Sequence, residues 1–147
     1  MEQAKKHLKI SSMLVLLFVG ISLLQLVTEL MFGDINSATI PEGSPDNILL
    51  ITKTFVMVIA LLLMLPKVYV GVKGLKMAKA PNASKGHIIV AAIILAFSIF
   101  SLIDPAMAIL KQDGTSGNVS SLFNILLEVT IYYEYIKNAR LVAKMAE

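Results

Sequence analysis

The 147-residue chain contains four long runs of apolar residues, and these runs restrict its fold more than any other feature. They cover residues 10–32, 48–66, 88–103 and 119–136. Each run is apolar almost all round, whereas a helix on the surface of a soluble protein keeps a polar face. Because a bilayer core about 30 Å thick is crossed by about 20 helical residues, runs of this length indicate membrane helices.

The runs also indicate the fold class. In lipid, only helices and closed barrels satisfy every backbone hydrogen bond, and the two-residue alternation of barrel strands is absent. We therefore predict an all-α polytopic membrane protein, a single domain of residues 1–147 with four transmembrane helices in an antiparallel bundle. The predicted helices cover about 9–32, 47–79, 84–111 and 118–145. The first is expected to be retained, because its apolar run exceeds the roughly 7–15 residues of a signal peptide.

Basic residues collect on alternate connections. Three precede the first run, five lie between the second and third, and three follow the fourth, which makes eleven of the thirteen Lys and Arg residues. By the positive-inside rule, both termini and the middle connection are expected in the cytoplasm of a multi-pass cell-membrane protein. The net charge of +3 then reflects topology and anionic headgroups, and no nucleic-acid partner is expected. Pro66 is expected to kink the second helix near the inner headgroups.

Two of the predicted helices carry a polar stripe with a spacing of three and four residues. The stripes consist of Ser22, Gln25 and Glu29 on the first helix and Ser121, Asn124 and Glu128 on the fourth. If these helices pack side by side in opposite directions, Ser22 lies level with Glu128. At about 1.5 Å rise per residue, Glu128 lies roughly 14 Å below the outer end of its helix, near the bilayer centre.

Lys53 is the one basic residue inside a predicted membrane segment, and it is expected to pair with Glu29, Glu128 or Asp104. A charge at the bilayer centre costs about 2.5–3.5 kcal/mol, so Glu128 must be neutral, paired or hydrated. Two interpretations stay open. Either the polar residues form hydrogen bonds between helices, or they line a hydrated path for an ion or small solute.

The remaining polar side chains indicate no catalytic site. The chain has no cysteine, and His7 and His87 stand at the ends of apolar runs, where they are expected to face solvent rather than bind a metal. Tyr132, Tyr133 and Tyr135 are expected to form an aromatic belt at the inner membrane surface. Because no nucleophile–base pair or phosphate-binding loop is present, we expect no enzyme activity, no metal and no cofactor.

One resemblance rests on the segment YVGVKGLKMAKAPNASKGHIIVAAIILAFSIFSLI (Tyr69–Ile103) and on the terminal NARLVAKMAE. These stretches resemble the small four-helix membrane proteins common in Firmicutes, which share an inner connection of the form G-x-x-G-x-K-x-A-K-x-P. The resemblance covers about a quarter of the chain. It implies a bacterial inner-membrane protein and no particular activity, and it does not include Lys53 or Glu128.

Two functions are compatible with these features. The first is an oligomeric channel or small transporter for cations or protons, because so small a bundle has little interior and a path forms more readily between copies. The second is a non-catalytic accessory or scaffold protein. The expected partners are accordingly the lipid bilayer and either further copies of the chain or a larger membrane protein.

The predicted orientation can be tested by cysteine labelling in intact cells. Ser37→Cys and Thr115→Cys should react with a thiol reagent that does not cross membranes, because both positions are expected outside. Ala83→Cys should not react, because its lysine-rich connection is expected inside. Labelling of Ala83→Cys in intact cells would contradict this topology.

Overall fold

The computed structural model describes residues 2–32, 46–81, 84–111 and 116–146, apart from the side chains of 29–30, 32, 46–50 and 116–118. Ser37, Ala83 and Thr115, the labelling positions, lie outside this description. The described residues form five helices: α1 (Glu2–Phe32), α2 (Asp46–Lys79), α3 (Gly86–Ser101), α4 (Ile103–Leu110) and α5 (Ser116–Lys144). No strand occurs among them, so the all-helical prediction is confirmed for this part of the chain.

The third predicted helix is divided into α3 and α4 by Pro105. Proline has no amide hydrogen to donate to the carbonyl group of Ser101, four residues earlier, and its ring crowds that group. Helix α3 therefore ends at Ser101, and α4 follows after Leu102. The Leu102 amide donates to the Ile99 carbonyl oxygen at 3.2 Å. This bond spans three residues instead of four, as is typical of the last turn of a helix.

Among the described residues, three segments are long and apolar enough to cross a membrane: Glu2–Thr28, Ile51–Lys79 and Gly86–Leu110. Helix α5, predicted as a fourth span, is not one of them, because polar residues such as Glu128 and Glu134 lower its hydropathy. In the most apolar window of each segment only 11–22% of the residues are buried, so most apolar side chains face outward. An apolar surface of this extent supports a membrane protein.

The buried apolar residues form one cluster shared by α1, α2, α3 and α5. They come from the beginning of α1, the end of α2, the first part of α3 and the end of α5. The cluster includes Leu8, Val15, Val70, Met77, Ala91, Tyr135, Ala139 and Val142. Neighbours on one helix are mostly three, four or seven residues apart, so each helix contributes a single face. Helix α1 packs on α2 and α5, and α3 packs mainly on α5.

Three helices approach one another closely at Gly74 of α2. A β-carbon at this position would overlap the Ser12 hydroxyl group of α1 and the Tyr135 ring of α5. Ser12 is fully buried and donates to the Leu8 carbonyl oxygen at 2.6 Å. The Tyr135 hydroxyl donates to the Val70 carbonyl oxygen of α2 at 2.9 Å. The missing side chain at Gly74 is therefore what lets α1 and α5 meet against α2.

Gly74→Ala should lower the free energy of unfolding by about 1–3 kcal/mol, because the added methyl group has no space. Gly20 is the matched control, since nothing lies within 4 Å of its β-carbon position. Gly20→Ala should be neutral or stabilise by up to about 1 kcal/mol, because alanine favours the helix. Unfolding in detergent micelles measures both, and equal stability of the two variants would contradict the packing at Gly74.

Candidate functional site

An ion pair joins α2 to α5 inside the apolar part of the molecule. The Lys67 ammonium group donates from Nζ to Oε1 of Glu128 at 2.6 Å. The two side chains are only 32% and 21% exposed, respectively. Lys67 lies near the midpoint of the apolar segment Ile51–Lys79, because α2 continues through Pro66. Glu128 thus pairs with Lys67, a base that was expected in the connection between the second and third helices.

The expected pairing of Glu128 with Lys53 is therefore wrong. Lys53 is half-buried on α2, fourteen residues before Lys67, which places it about 21 Å away along the helix. Asp104 is exposed in the first turn of α4, where the helix dipole favours a carboxylate. Glu29 belongs to α1, and its side chain lies outside the described residues.

The two predicted polar stripes have different surroundings. Ser22 of α1 and Glu128 of α5 line the same small cavity, at the level where the sequence analysis placed them together. Gln25 on α1, and Ser121 and Asn124 on α5, are instead exposed on the surface of the chain. Among the described residues of the two stripes, the structure therefore brings together only Ser22 and Glu128.

The small cavity lies on the α1 side of the ion pair and has a volume of 20 Å³. Val15 and Phe18 of α1 close it, while Ser22, Lys67 and Glu128 supply its polar lining together with the Tyr132 side chain. A volume of about 10–15 Å³ is enough for one water molecule where polar groups can bind it. The cavity therefore has the size and lining to place a single water molecule against the carboxylate.

A much larger groove of 630 Å³ lies on the other side of the ion pair, between α2, α3 and α5. Its lining is mostly apolar, and we call it the α2–α3–α5 groove. Ser98 and Ser101 also line it, but their hydroxyl groups donate to carbonyl oxygens of their own helix at 3.0 Å. Such internal bonds use the single donor of each hydroxyl group and leave its oxygen atom as an acceptor. Lys67 and Glu128 are therefore the charged groups that this groove offers to a ligand.

Several aromatic residues beside the ion pair are more deeply buried than the sequence indicated. Tyr132 and Tyr135 are 2% and 0% exposed, so only Tyr133 has the exposure expected of the aromatic belt. His87, expected to face solvent, is buried edge-on against Tyr135, with 6.1 Å between the ring centroids. Neither of its ring nitrogens has a hydrogen-bond partner among the described residues. His7 is exposed, as expected.

Lys67 was not predicted as an intramembrane base because the second apolar run ends at Pro66. The sequence does contain a signal that the apolar segment continues. Residues 68–72 are apolar or glycine, so the apolar run resumes after Lys67 and the closely spaced lysines begin only at Lys73. An isolated lysine followed by a renewed apolar stretch indicates an intramembrane base rather than a loop residue.

Comparison with protein-family models, curated proteins and solved structures finds no match for the chain. The chemistry available at the ion pair is therefore the basis for a functional inference. A carboxylate beside an ammonium group in apolar surroundings is stable as an ion pair. If a proton binds to Glu128, the attraction for Lys67 is lost and a lone ammonium group remains, which is unfavourable in lipid.

Lys67→Met should lower the free energy of unfolding by about 1–3 kcal/mol, because Glu128 is left charged and without its partner. The double variant Lys67→Met/Glu128→Gln should regain part of that loss. Lys53→Met is the matched control on the same helix and should show no coupling with Glu128→Gln.

Chemical unfolding in micelles of the single and double variants gives the coupling energy. For contacting residues it should reach about 0.5–3 kcal/mol. Additive losses for Lys67 and Glu128, or coupling with Lys53 instead, would contradict the observed ion pair.

Proposed function

We propose that the chain is a bacterial inner-membrane protein in which α1, α2, α3 with α4, and α5 form an antiparallel four-helix bundle. Both termini lie in the cytoplasm, as the lysine distribution predicts. The protein works as a small oligomeric transporter or channel, and the species that it moves is the proton. Its role is transport rather than catalysis.

The observation that carries this proposal is the partly shielded ion pair of Lys67 and Glu128, placed between two cavities of different character. The small cavity can supply one water molecule as a proton donor or acceptor on the α1 side. The α2–α3–α5 groove lies on the opposite side. Glu128 thus has a proton-exchanging partner within reach on one side and an open groove on the other, which are the groups that a proton pathway through this site would use.

The charge of Lys67 also bears on which ion the proposed pathway would carry. The sequence alone left both cations and protons open as the transported species. Because Lys67 neutralises Glu128, the site has no excess negative charge to attract a metal cation. A proton differs from other cations, because it binds covalently to the carboxylate and releases the ammonium group. The site is therefore better suited to protons than to sodium or potassium.

The exposed polar residues support an oligomer. Gln25, Ser121 and Asn124 are exposed on helices whose surroundings are mostly apolar. An amide group facing hydrocarbon without a hydrogen-bond partner is unfavourable by roughly 1–3 kcal/mol on mutational scales. Contact with a second copy removes this cost, since polar side chains form hydrogen bonds between helices within membranes. Such a contact also lines a polar path that neither copy has alone.

A second candidate is an accessory or scaffold protein that binds a larger membrane partner. The observation that favours it is that Lys67 and Glu128 neutralise each other within one chain. Because each charge already has its partner, the ion pair needs no transported ion to neutralise it. In that case the partner, rather than a second copy, covers Gln25 and Asn124.

Proton flux in liposomes separates the two candidates. Purified protein is reconstituted with a pH-sensitive dye inside, and an outward potassium gradient with valinomycin drives protons inward. Wild-type protein should move protons above the level of empty liposomes, and Glu128→Gln should abolish the flux because its side chain takes up no proton. Glu134→Gln is the control, because Glu134 forms an exposed pair with Lys137 one turn away on the same helix at 3.4 Å.

Two results would contradict transport of protons. One is wild-type flux equal to that of empty liposomes at every pH and voltage, which favours the accessory function. The other is equal loss of flux in Glu128→Gln and Glu134→Gln, which indicates a general effect of charge. Cross-linking in the same liposomes measures the oligomer, and a strictly monomeric chain that still conducts would overturn the path between copies.

A further inference from the structure

A separate feature lies between α3 and α5, along the last turns of α5. Two cavities of 430 and 570 Å³ border on each other there, and Arg140 and Lys144 line both. The first reaches Lys85 and Ile88 at the beginning of α3, and the second extends along α3 past Ala92. Together they form one groove, which we call the α3–α5 groove.

The α3–α5 groove changes character along its length. Basic side chains of α5 line the groove from Lys144 back to Lys137, whereas Ala92, Leu95 and Ile136 give it an apolar wall that extends to Tyr133. From Lys144 to Tyr133 the groove follows α5 for about 16 Å at the helical rise per residue. That length is close to half of a bilayer core about 30 Å thick, which is the depth of one leaflet.

The basic end is also open to an anion. Arg140 and Lys144 are exposed and stand four residues apart, so they lie on the same face of α5. In the described part of the chain neither forms an ion pair with a carboxylate, whereas Lys137 beside them is held by Glu134 at 3.4 Å. A guanidinium group binds phosphate oxygens in a bidentate manner, and an ammonium group four residues away adds a second charge.

We propose that the α3–α5 groove binds one anionic phospholipid. Arg140 and Lys144 hold the phosphate group, and an acyl chain lies along Ala92, Leu95 and Ile136. The basic end coincides with the end of α5 that the proposed topology places at the cytoplasmic surface, where anionic lipids interact with basic residues. The lipid site does not involve the ion pair of Lys67 and Glu128, so it holds whether or not the chain moves protons.

Native mass spectrometry of the delipidated full chain in detergent tests this proposal. The chain is titrated separately with phosphatidylglycerol and with phosphatidylcholine of identical acyl chains, and bound lipids are counted. Phosphatidylglycerol should bind more tightly. The variant Arg140→Gln/Lys144→Gln should lose this preference, by roughly fivefold for each charge removed.

The matched control is Lys76→Gln/Lys79→Gln, which removes two exposed charges from the last turn of α2. It should keep the preference for phosphatidylglycerol. An equal loss in this control would show that overall charge, rather than the groove, attracts the lipid, and equal binding of the two lipids to the wild-type chain would overturn the proposal. Soluble glycerol phosphate, which has no acyl chain, should not compete, and effective competition would likewise overturn a lipid site.

Discussion

The close contact of α1, α2 and α5 at Gly74 is the constraint on which the rest of the structure depends. Because α2 has no side chain there, Ser12 and Tyr135 both reach its backbone. Tyr135 then donates to the Val70 carbonyl oxygen, which fixes α5 relative to α2 about one turn from Lys67. This neighbouring bond sets the distance between the two helices at the level where the ammonium group meets Glu128. The charged site is therefore held in place by an uncharged contact beside it.

Several hydroxyl groups in the described helices are satisfied locally. The hydroxyl groups concerned donate to carbonyl oxygens in the preceding turn of their own helix, and they belong to Ser11, Ser12, Thr28, Ser98, Ser101 and Thr130. Such residues fit an apolar environment without linking one helix to another. Side-chain bonds that cross between helices are formed by Tyr135 and by the ion pair. The locally bonded hydroxyl groups therefore do not affect how α2 and α5 pack, whereas Tyr135 and the ion pair do.

The sequence predicted the helices well and the charged site only in part. Long apolar runs and their flanking lysines are properties of contiguous residues, so the helix positions could be inferred directly. Helical periodicity also placed Ser22 level with Glu128, where both line one cavity. The partner of Glu128 depends on which of two lysines on α2 faces α5. That choice arises from packing between distant segments, as does the burial of His87 against Tyr135, and no spacing within a single run contains it.

Gly74 of α2 lies against both Ser12 and Tyr135, which come from nearly opposite ends of the chain. Because α1 and α2 are synthesised before α5, the face around Gly74 lacks its third partner until α5 has been made. A chain that stops before α5 would leave this face of α2 packed against α1 alone.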